Sequence, residues 1–334
     1  MLNYSVVITS YLRSDLVELT LKSILTQDRL PLEVIIVDNN VLERESNLLK
    51  DLISKTGQSV CPIKKIKTPK NSAALARYMG ACASKGDLIL FMDNDVVIES
   101  DYSSKLIKNF EIDPEVIGIQ GVDKRRISGQ KNRKDSSIFK KFLINIIEFL
   151  EISEVVGSKQ SKVSPSICLF HPDVTKEFEV YSQWISLCAS FYRKDAFKYS
   201  NFPQNFVTYS NSEYIYFSYD LYKQKVGKLI YTSKAKYTNI DTEDGRLPTI
   251  PLTYQLEVND YYIFLKLFPK SLKNILIFTK SRIGRFLYNF ARALLKKSFS
   301  LNLVFHSFGA SLYPLINFNK IRKGDLSFYE KDFT

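Results

Sequence analysis

Glycine is scarce in this chain, with 12 among 334 residues. None falls in the turn after the first apolar run, TSYLRSD (residues 9–15). A sugar nucleotidyltransferase normally needs a glycine-rich phosphate loop at that point, so its absence argues against that class. Histidine is scarcer still, limited to His171 and His306. His306 lies among Val304, Phe305 and Phe308, as a packed structural histidine would. The four cysteines, Cys61, Cys82, Cys168 and Cys188, are too dispersed for metal-ligand spacing. They fit reduced, mostly buried thiols of a cytosolic protein. No apolar run approaches the ~18 residues that a spanning helix needs. The start, MLNYSVVITSYLRSD, has neither a basic opening nor a long apolar stretch, so no signal peptide is expected.

Positive charge is plentiful. Lys and Arg number 47 against 35 Asp and Glu, a net +12. Thirteen Lys and Arg against four Asp and Glu fall from Asp260 onward. Such a balance points to an anionic partner: nucleic acid, a membrane surface or a phosphorylated ligand. The basic stretches carry no recognisable nucleic-acid module, so nucleic acid is not expected. The length suits one large or two small domains.

The first hundred residues alternate between two periodicities. Ser5–Thr9 is a β-branched run, and the next residues turn helical, with Val17, Leu21, Ile24 and Leu25 on one face and Asp15 with Glu18 as a capping box. Leu32–Val37 is a second strand, followed by a polar helix over Glu43–Ser54. Ile63–Ile66 is a weak third strand. A small-residue helix, NSAALARYMGACASKG, ends at Gly86, and Leu88–Met92 is the fourth strand. This alternation predicts a doubly wound α/β layer with a parallel sheet, in which ligands bind at the carboxyl ends of the strands. Thr9, Asp38 and Asp93 all sit at such ends. Beyond residue 121 the pattern changes. DKRRISGQKNRKDSS (123–137) is expected to be a basic, turn-rich loop, and IFKKFLINIIEFLEI (138–152) a helix. Tyr181–Phe197 is expected to be a strand with a turn or short helix, SEYIYFSYDLYKQKVG (212–227) a helix stopped by Gly227, and KLIYTSKAKYTN (228–239) a strand.

The fourth strand ends on Asp93-Asn94-Asp95. Two carboxylates this close repel, so water or a positive charge should accompany them. Hard cations such as Mg²⁺ and Mn²⁺ bind carboxylate oxygens and keep positions open for phosphate and water. The plain alternative is a solvated turn before a helix.

Five segments in order resemble family 2 glycosyltransferases of the GT-A fold: YSVVITSYLRSDLVELTLKSILTQ, LEVIIVDNN, NSAALARYMGACASKGDLILFMDND, WISLCASFYRKDAF and SEYIYFSYDLYKQKVGKLIYTSKAKY. The resemblance runs from residue 4 to about 250. It implies a Rossmann-like, mainly parallel sheet with helices on both faces, followed by a C-terminal basic helical extension. The implied division is a nucleotide-sugar half (1–122), an acceptor half (123–250) and a basic amphipathic region (251–334).

The same resemblance implies the site. Thr9 and the backbone near Tyr11 would hold the nucleotide. Asp38, helped by Asn39, would accept from the base edge and ribose; a strand-end turn is the alternative. Arg77 would face the diphosphate or base, or else be a surface helix arginine. Asn94 would lie on the nucleotide-sugar, and Asp93 and Asp95 would contact ribose and a Mg²⁺ or Mn²⁺ ion, with Asp95 favoured over Asp93 as the direct ligand. Trp184 would lie on the acceptor side, or be a core tryptophan. The implied reaction is inverting transfer from a nucleotide-diphosphate sugar, a UDP-sugar being favoured, to a glycan or lipid-linked acceptor in cell-envelope polysaccharide synthesis.

Two positions depart from the family pattern. The acidic helix usually begins Glu-Asp, with Asp as base; here it begins Glu213-Tyr214. Glu213 is the nearest acid, with the loop acids Asp241, Glu243 and Asp244 as alternatives. Thr238 and Asn239 stand where a metal-binding His is common. These departures support a second reading, a catalytically inactive homologue acting as a binding or assembly subunit. Finally, LKNILIFTKSRIGRFLYNFARALLKK mixes an apolar stripe (Ile275, Phe278, Ile283, Phe286, Phe290, Leu294) with Lys280, Arg282, Arg285 and Arg292. Such a helix can lie in a membrane interface, giving an expected cytoplasmic location, peripheral on the inner face of the membrane; the alternative is a helix packed on the catalytic domain with a solvated basic face.

Overall fold

The computed structural model describes the chain except residues 57–60, 135–137, 153, 209, 211, 241–247, 296–300 and 334. For residues 133–134, 138–142, 249, 291–295, 301–304 and 307, only the backbone is described. The chain forms two units. One comprises Met1–Lys131, Asp173–Tyr209 and Glu213–Arg246, the other Asn132–Pro172, Ser210–Ser212 and Leu247–Thr334.

Chain order in the first unit starts β1 (Tyr4–Ser10), α1 (Ser14–Leu25), β2 (Glu33–Asp38), α2 (Glu43–Lys55), β3 (Ile63–Lys67), α3 (Ala73–Ala83) and β4 (Leu88–Asp93). It continues through β5 (Val96–Ile98), α4 (Tyr102–Ile112), β6 (Val116–Asp123) and α5 (Lys124–Lys134), whose last three residues fall in the second unit. The intervening α6 (Ile138–Phe149), β7 (Val155–Val156), β8 (Lys162–Val163) and β9 (Leu169–His171) belong to the second unit. The first unit resumes with β10 (Glu179–Ser182), β11 (Ala189–Arg193), α7 (Glu213–Lys223) and β12 (Lys228–Asn239).

Nine strands form one sheet in the order β10-β12-β6-β11-β4-β1-β2-β3, with β5 alongside β12. The β1–β2, β1–β4, β2–β3 and β6–β12 pairs are parallel, whereas β11 runs antiparallel between β4 and β6. The four expected N-terminal strands are present, each reaching one residue further at its carboxyl end.

Both faces of this sheet are covered, which is why its strands are apolar on both sides. Tyr4, Val6 and Ile8 of β1 point to the face packed by Val17, Leu21 and Ile24 of α1 and by Leu106, Ile107 and Phe110 of α4. Val7 and Val37 point the other way, towards α3. There the helix comes so close that a Cβ at Gly80 would stand 2.3 Å from Val7 Cγ1.

Three local expectations need correction. Helix α1 has no capping box: Arg13, in the left-handed region, precedes it without a side-chain cap, and Glu18 pairs with Lys22. Helix α3 ends at Ala83, and Gly86 serves a different purpose, since a Cβ there would lie 2.5 Å from Ser5 N. The basic segment expected as a loop is largely helix α5. Lys, Arg and Gln are good helix formers, and most of these residues face solvent, so no apolar stripe announces the helix.

In the second unit, β7, β9 and β8 make a small sheet in that order. After β12 the chain continues as α8 (Thr249–Leu267), α9 (Leu272–Leu295), α10 (Leu301–Ile316), α11 (Phe318–Lys323) and α12 (Ser327–Phe333). The expected amphipathic helix is therefore real, but its charges are not all on a solvated face. Arg282 is buried, donating to Asp260 Oδ2 at 2.7 Å, Glu257 Oε2 at 3.2 Å and the Ser166 carbonyl at 2.8 Å. Arg285 reaches the same two carboxylates. Burial opposes the charge on Glu257, but the two guanidiniums outweigh it and hold its carboxyl below the usual range. Phe278 is buried against Phe264 and Tyr261. Leu276, Ile283 and Leu287 are exposed.

Among the described residues, no helix is long and apolar enough to cross a membrane. The four cysteines are free; Cys61 and Cys168 are buried, Cys188 is half-buried and Cys82 is exposed. The ring of His306 lies 6.3 Å from that of Tyr254.

Candidate functional site

The parallel register brings the expected residues to one edge. Thr9 pairs with Asp93 across β1 and β4, and Ser10 pairs with Asp38 across β1 and β2. Thr9, Asp38 and Asp93 therefore share the carboxyl-end edge of the sheet, where crossover connections leave room for ligand.

Asp38 is fully buried. Its Oδ1 accepts from Asn40 N at 3.1 Å and Asn40 Nδ2 at 2.9 Å, and its Oδ2 accepts from Ser46 Oγ. Strand alternation puts Lys65 and Lys67 of β3 on one face, and their ammonium groups stand 3.2 and 3.4 Å from Oδ2. Burial would raise this carboxyl, but the donors from Ser46, Asn40 and Lys65 hold it below its ordinary value. Asn39 ties the same edge to the start of α3. Its Nδ2 donates to Asn71 Oδ1 at 2.9 Å, and its Oδ1 accepts from Ser72 N at 2.9 Å and Thr68 Oγ1 at 3.1 Å.

Beyond β1, Tyr11 leads into two left-handed residues, Leu12 (φ 56°) and Arg13 (φ 54°). The bend is pinned at both ends. Leu12 N donates to Asn40 Oδ1, and Asn94 Nδ2 donates to Leu12 O at 2.9 Å. The Asn94 side chain therefore positions this loop, and its carbonyl accepts from Thr20 Oγ1 at 3.0 Å.

The two aspartates each face an arginine. Asp95 is ion-paired through Oδ2 to Arg13 Nη1. Asp93 Oδ1 lies 2.6 Å from Arg77 Nη2, while Arg77 Nη1 pairs with Glu213 Oε1. Arg77 is thus no surface arginine: it is buried and joins α3, the end of β4 and the first residue of α7. Burial disfavours its charge, but Glu213 and Asp93 more than compensate and raise its pKa. Burial first, and then the charge of Asp93, push the Asp95 carboxyl up to about 6, with Arg13 opposing. Three carboxylates against two guanidiniums leave this cluster one negative charge in excess when all are ionised.

Trp184 lies in the β10–β11 connection, buried, with its ring 6.0 Å from that of Tyr214. The position expected for an acid is therefore occupied by a phenol packed on an indole. The strand that would carry the family's histidine does arrive beside the aspartates: Asn239 pairs with Val96, Thr238 with Val97, and Ile240 N donates to Asp95 O at 2.7 Å. Asp241, Glu243 and Asp244 lie outside the described residues.

Among the described residues, no group of three or more His, Cys, Asp or Glu side chains could hold a metal ion. Hard divalent cations can take as few as one or two carboxylates and complete their shell with phosphate oxygens and water; Asp93 and Asp95 are carboxylates of that type, each engaged here by an arginine. Arg13, like Ser46, Lys65 and Lys67 around Asp38, is a participant that the sequence did not single out. Its only signal was its place in the turn that leaves β1.

Comparison with known proteins gives a consistent result. The family described as Glycosyl transferase family 2 matches residues 5–177. Among curated proteins, none matches the sequence. Among solved structures, Staphylococcus aureus TarS 1-349 in complex with UDP-GlcNAc superposes with a TM-score of 0.54 at 15% identity, covering 98% of this chain and 89% of that one. The mannosyltransferase PcManGT from Pyrobaculum calidifontis, in complex with GDP-Man and Mn²⁺, gives 0.51 at 13% identity, covering 97% and 85%. GalNAc-T7 with UDP, GalNAc and Mn²⁺ gives 0.52 at 14% identity, covering 85% of this chain; the chain spans 54%, about half, of that protein. At these identities the likeness concerns the fold, which is the GT-A arrangement expected from the sequence.

Proposed function

Because the chain belongs to glycosyl transferase family 2, we propose that it moves a sugar, with inversion, from a nucleotide-diphosphate donor to a glycan or lipid-linked acceptor in cell-envelope polysaccharide synthesis. The observation that carries this reading is the cluster at the strand ends, where Arg77 links Asp93 to Glu213 beside Asp95. A UDP-sugar is the favoured donor. TarS binding UDP-GlcNAc supports that choice, while PcManGT binding GDP-Man keeps a guanine donor as the competing outcome.

In this reading Thr9, Tyr11, Asp38 and Asn39 shape the nucleotide end of the site, and Asp93 and Asp95 hold Mg²⁺ or Mn²⁺. When bound, the cation supplies positive charge to the leaving diphosphate. Arg77, fixed between two carboxylates, adds a second positive charge on the same side. Glu213 accepts the proton of the acceptor hydroxyl as that hydroxyl's oxygen bonds to C1. The C1–O bond to the diphosphate breaks, and its electron pair leaves with the nucleoside diphosphate. Trp184 lies on the acceptor side.

Titration of UDP into the protein by calorimetry, with and without Mn²⁺, tests the donor site. UDP should bind more tightly with Mn²⁺, and Asp95→Ala should lose that gain while remaining folded. Equal wild-type affinity in both conditions would remove the metal bridge.

Replacement of Glu213 by Gln keeps its shape and removes its basicity. Turnover should fall by about 100-fold or more, and because Glu213 also pairs with buried Arg77 the variant should be less stable as well. Wild-type turnover in this variant would move the base elsewhere. A second reading, an inactive binding or assembly subunit, is favoured by Tyr214 standing at the base position against Trp184. UDP binding without turnover of any acceptor by the wild type would favour it.

A peripheral position on the inner membrane face, and with it a cytoplasmic location, is part of the same proposal. It rests on exposed Leu276, Ile283 and Leu287 on α9 and on the basic C-terminal composition. The internal pairing of Arg282 and Arg285 shifts the weight from cations to apolar contact. Flotation with anionic and neutral liposomes at low salt should carry the protein upward, and failure to float with either removes the idea.

A further inference from the structure

One largely enclosed cation at the strand ends, of intermediate exposure as a residue, has no part in the scheme above. The Arg13 side chain is 9% exposed, and its Nη1 is paired with Asp95. Among the described residues, its Nε is buried with no hydrogen-bond partner. The loop that carries it is fixed from two sides, by Asn40 accepting from Leu12 N and by Asn94 donating to Leu12 O. Arg13 is therefore built onto the carboxylate that would also serve as the direct ligand of a divalent cation. A guanidinium and a divalent cation repel each other, so they compete for Asp95. The guanidinium is also the side chain best matched to phosphate, because Nε and a terminal nitrogen present two parallel donors to two oxygens.

We propose that Arg13 occupies the cation's place on Asp95 while the site is free, and transfers its guanidinium to the nucleotide diphosphate when diphosphate and cation arrive together. The proposal rests on the donor-site reading above and deepens it. Its consequence is coupling. The cation alone must displace Arg13 and gains nothing in return, whereas a cation arriving with diphosphate offers Arg13 a new anionic partner. Free Mn²⁺ therefore binds weakly, and by linkage each ligand strengthens the other equally. No bond is made or broken. One ion pair is exchanged for two, Asp95 with the cation and Arg13 with phosphate.

The two affinities should move in opposite directions when Arg13 is removed, which loosening of the site would not cause. Calorimetry on the whole protein measures Mn²⁺ alone, and UDP at saturating Mn²⁺, for wild type, Arg13→Met and Arg13→Lys. Arg13→Met should bind Mn²⁺ alone on the order of tenfold more tightly, having lost the competitor. It should bind UDP roughly 10- to 100-fold more weakly, having lost a charge-assisted contact. Arg13→Lys, which keeps the charge without the fork, should leave Mn²⁺ affinity near wild type and weaken UDP less. A parallel drop in both affinities of Arg13→Met, or no change in either, overturns the proposal. If Arg13→Met does not fold, Arg13→Lys decides alone: weaker UDP with unchanged Mn²⁺ supports the exchange, and unchanged UDP overturns it. If the wild type binds neither Mn²⁺ nor UDP, the donor-site reading fails and this proposal with it. Tight wild-type UDP binding that is indifferent to Arg13 defeats the exchange while leaving that reading intact.

Discussion

Arg77 is the constraint on which this site depends. It is buried, and both of its carboxylate partners are bound directly to it, so it cannot relax into water without leaving them uncompensated. Moving an ion out of water costs several kcal/mol, and breaking a buried pair by removing one partner typically costs about 3–5 kcal/mol. The pairs therefore act as a geometric lock. Glu213 is 136 residues from Arg77 in sequence and Asp93 only 16, yet one guanidinium fixes both. The repulsion between Asp93 and Asp95 is met in the same way, with one arginine on each.

The sheet beneath supplies the alignment. Parallel pairing of β1 with β2 and β4 brings three strand ends to one level, and the chain turns there on side chains rather than on glycines. Asn39, Asn40 and Asn94 act as amide clips between the turns, and each accepts or donates to a backbone group of another segment. This explains how a chain with few glycines builds a ligand edge. Left-handed Leu12 and Arg13 take the bend, and their cost, about 1–2 kcal/mol per residue, is opposed by the hydrogen bonds of the Leu12 backbone to Asn40 and Asn94, just beyond β2 and β4.

The parts legible in sequence were those set by local pattern. β1, β2 and β4 announce themselves as apolar runs because both faces of the sheet are covered, and the strand-end acids follow from where those runs stop. The illegible parts were decided by distant partners. Nothing near Arg77 in sequence shows that it is buried, since its partner Glu213 begins α7. Asp15 and Glu18 satisfied a capping pattern, but the start of α1 is instead set by Arg13, whose side chain reaches Asp95. Helix α5 was hidden for the opposite reason: it buries so little that no periodicity marks it. In α9 the basic and apolar residues were visible, but Glu257 and Asp260, which take up Arg282 and Arg285, lie on α8.

The central claim is that the strand-end aspartates form the cation edge of a nucleotide-sugar site. A crystal structure of the protein with UDP and Mn²⁺, with the manganese located by its anomalous scattering, tests this most directly. A manganese peak should lie within bonding distance of an Asp95 carboxylate oxygen, beside the diphosphate. UDP bound with no manganese at Asp95, or bound away from the ends of β1, β2 and β4, would contradict it.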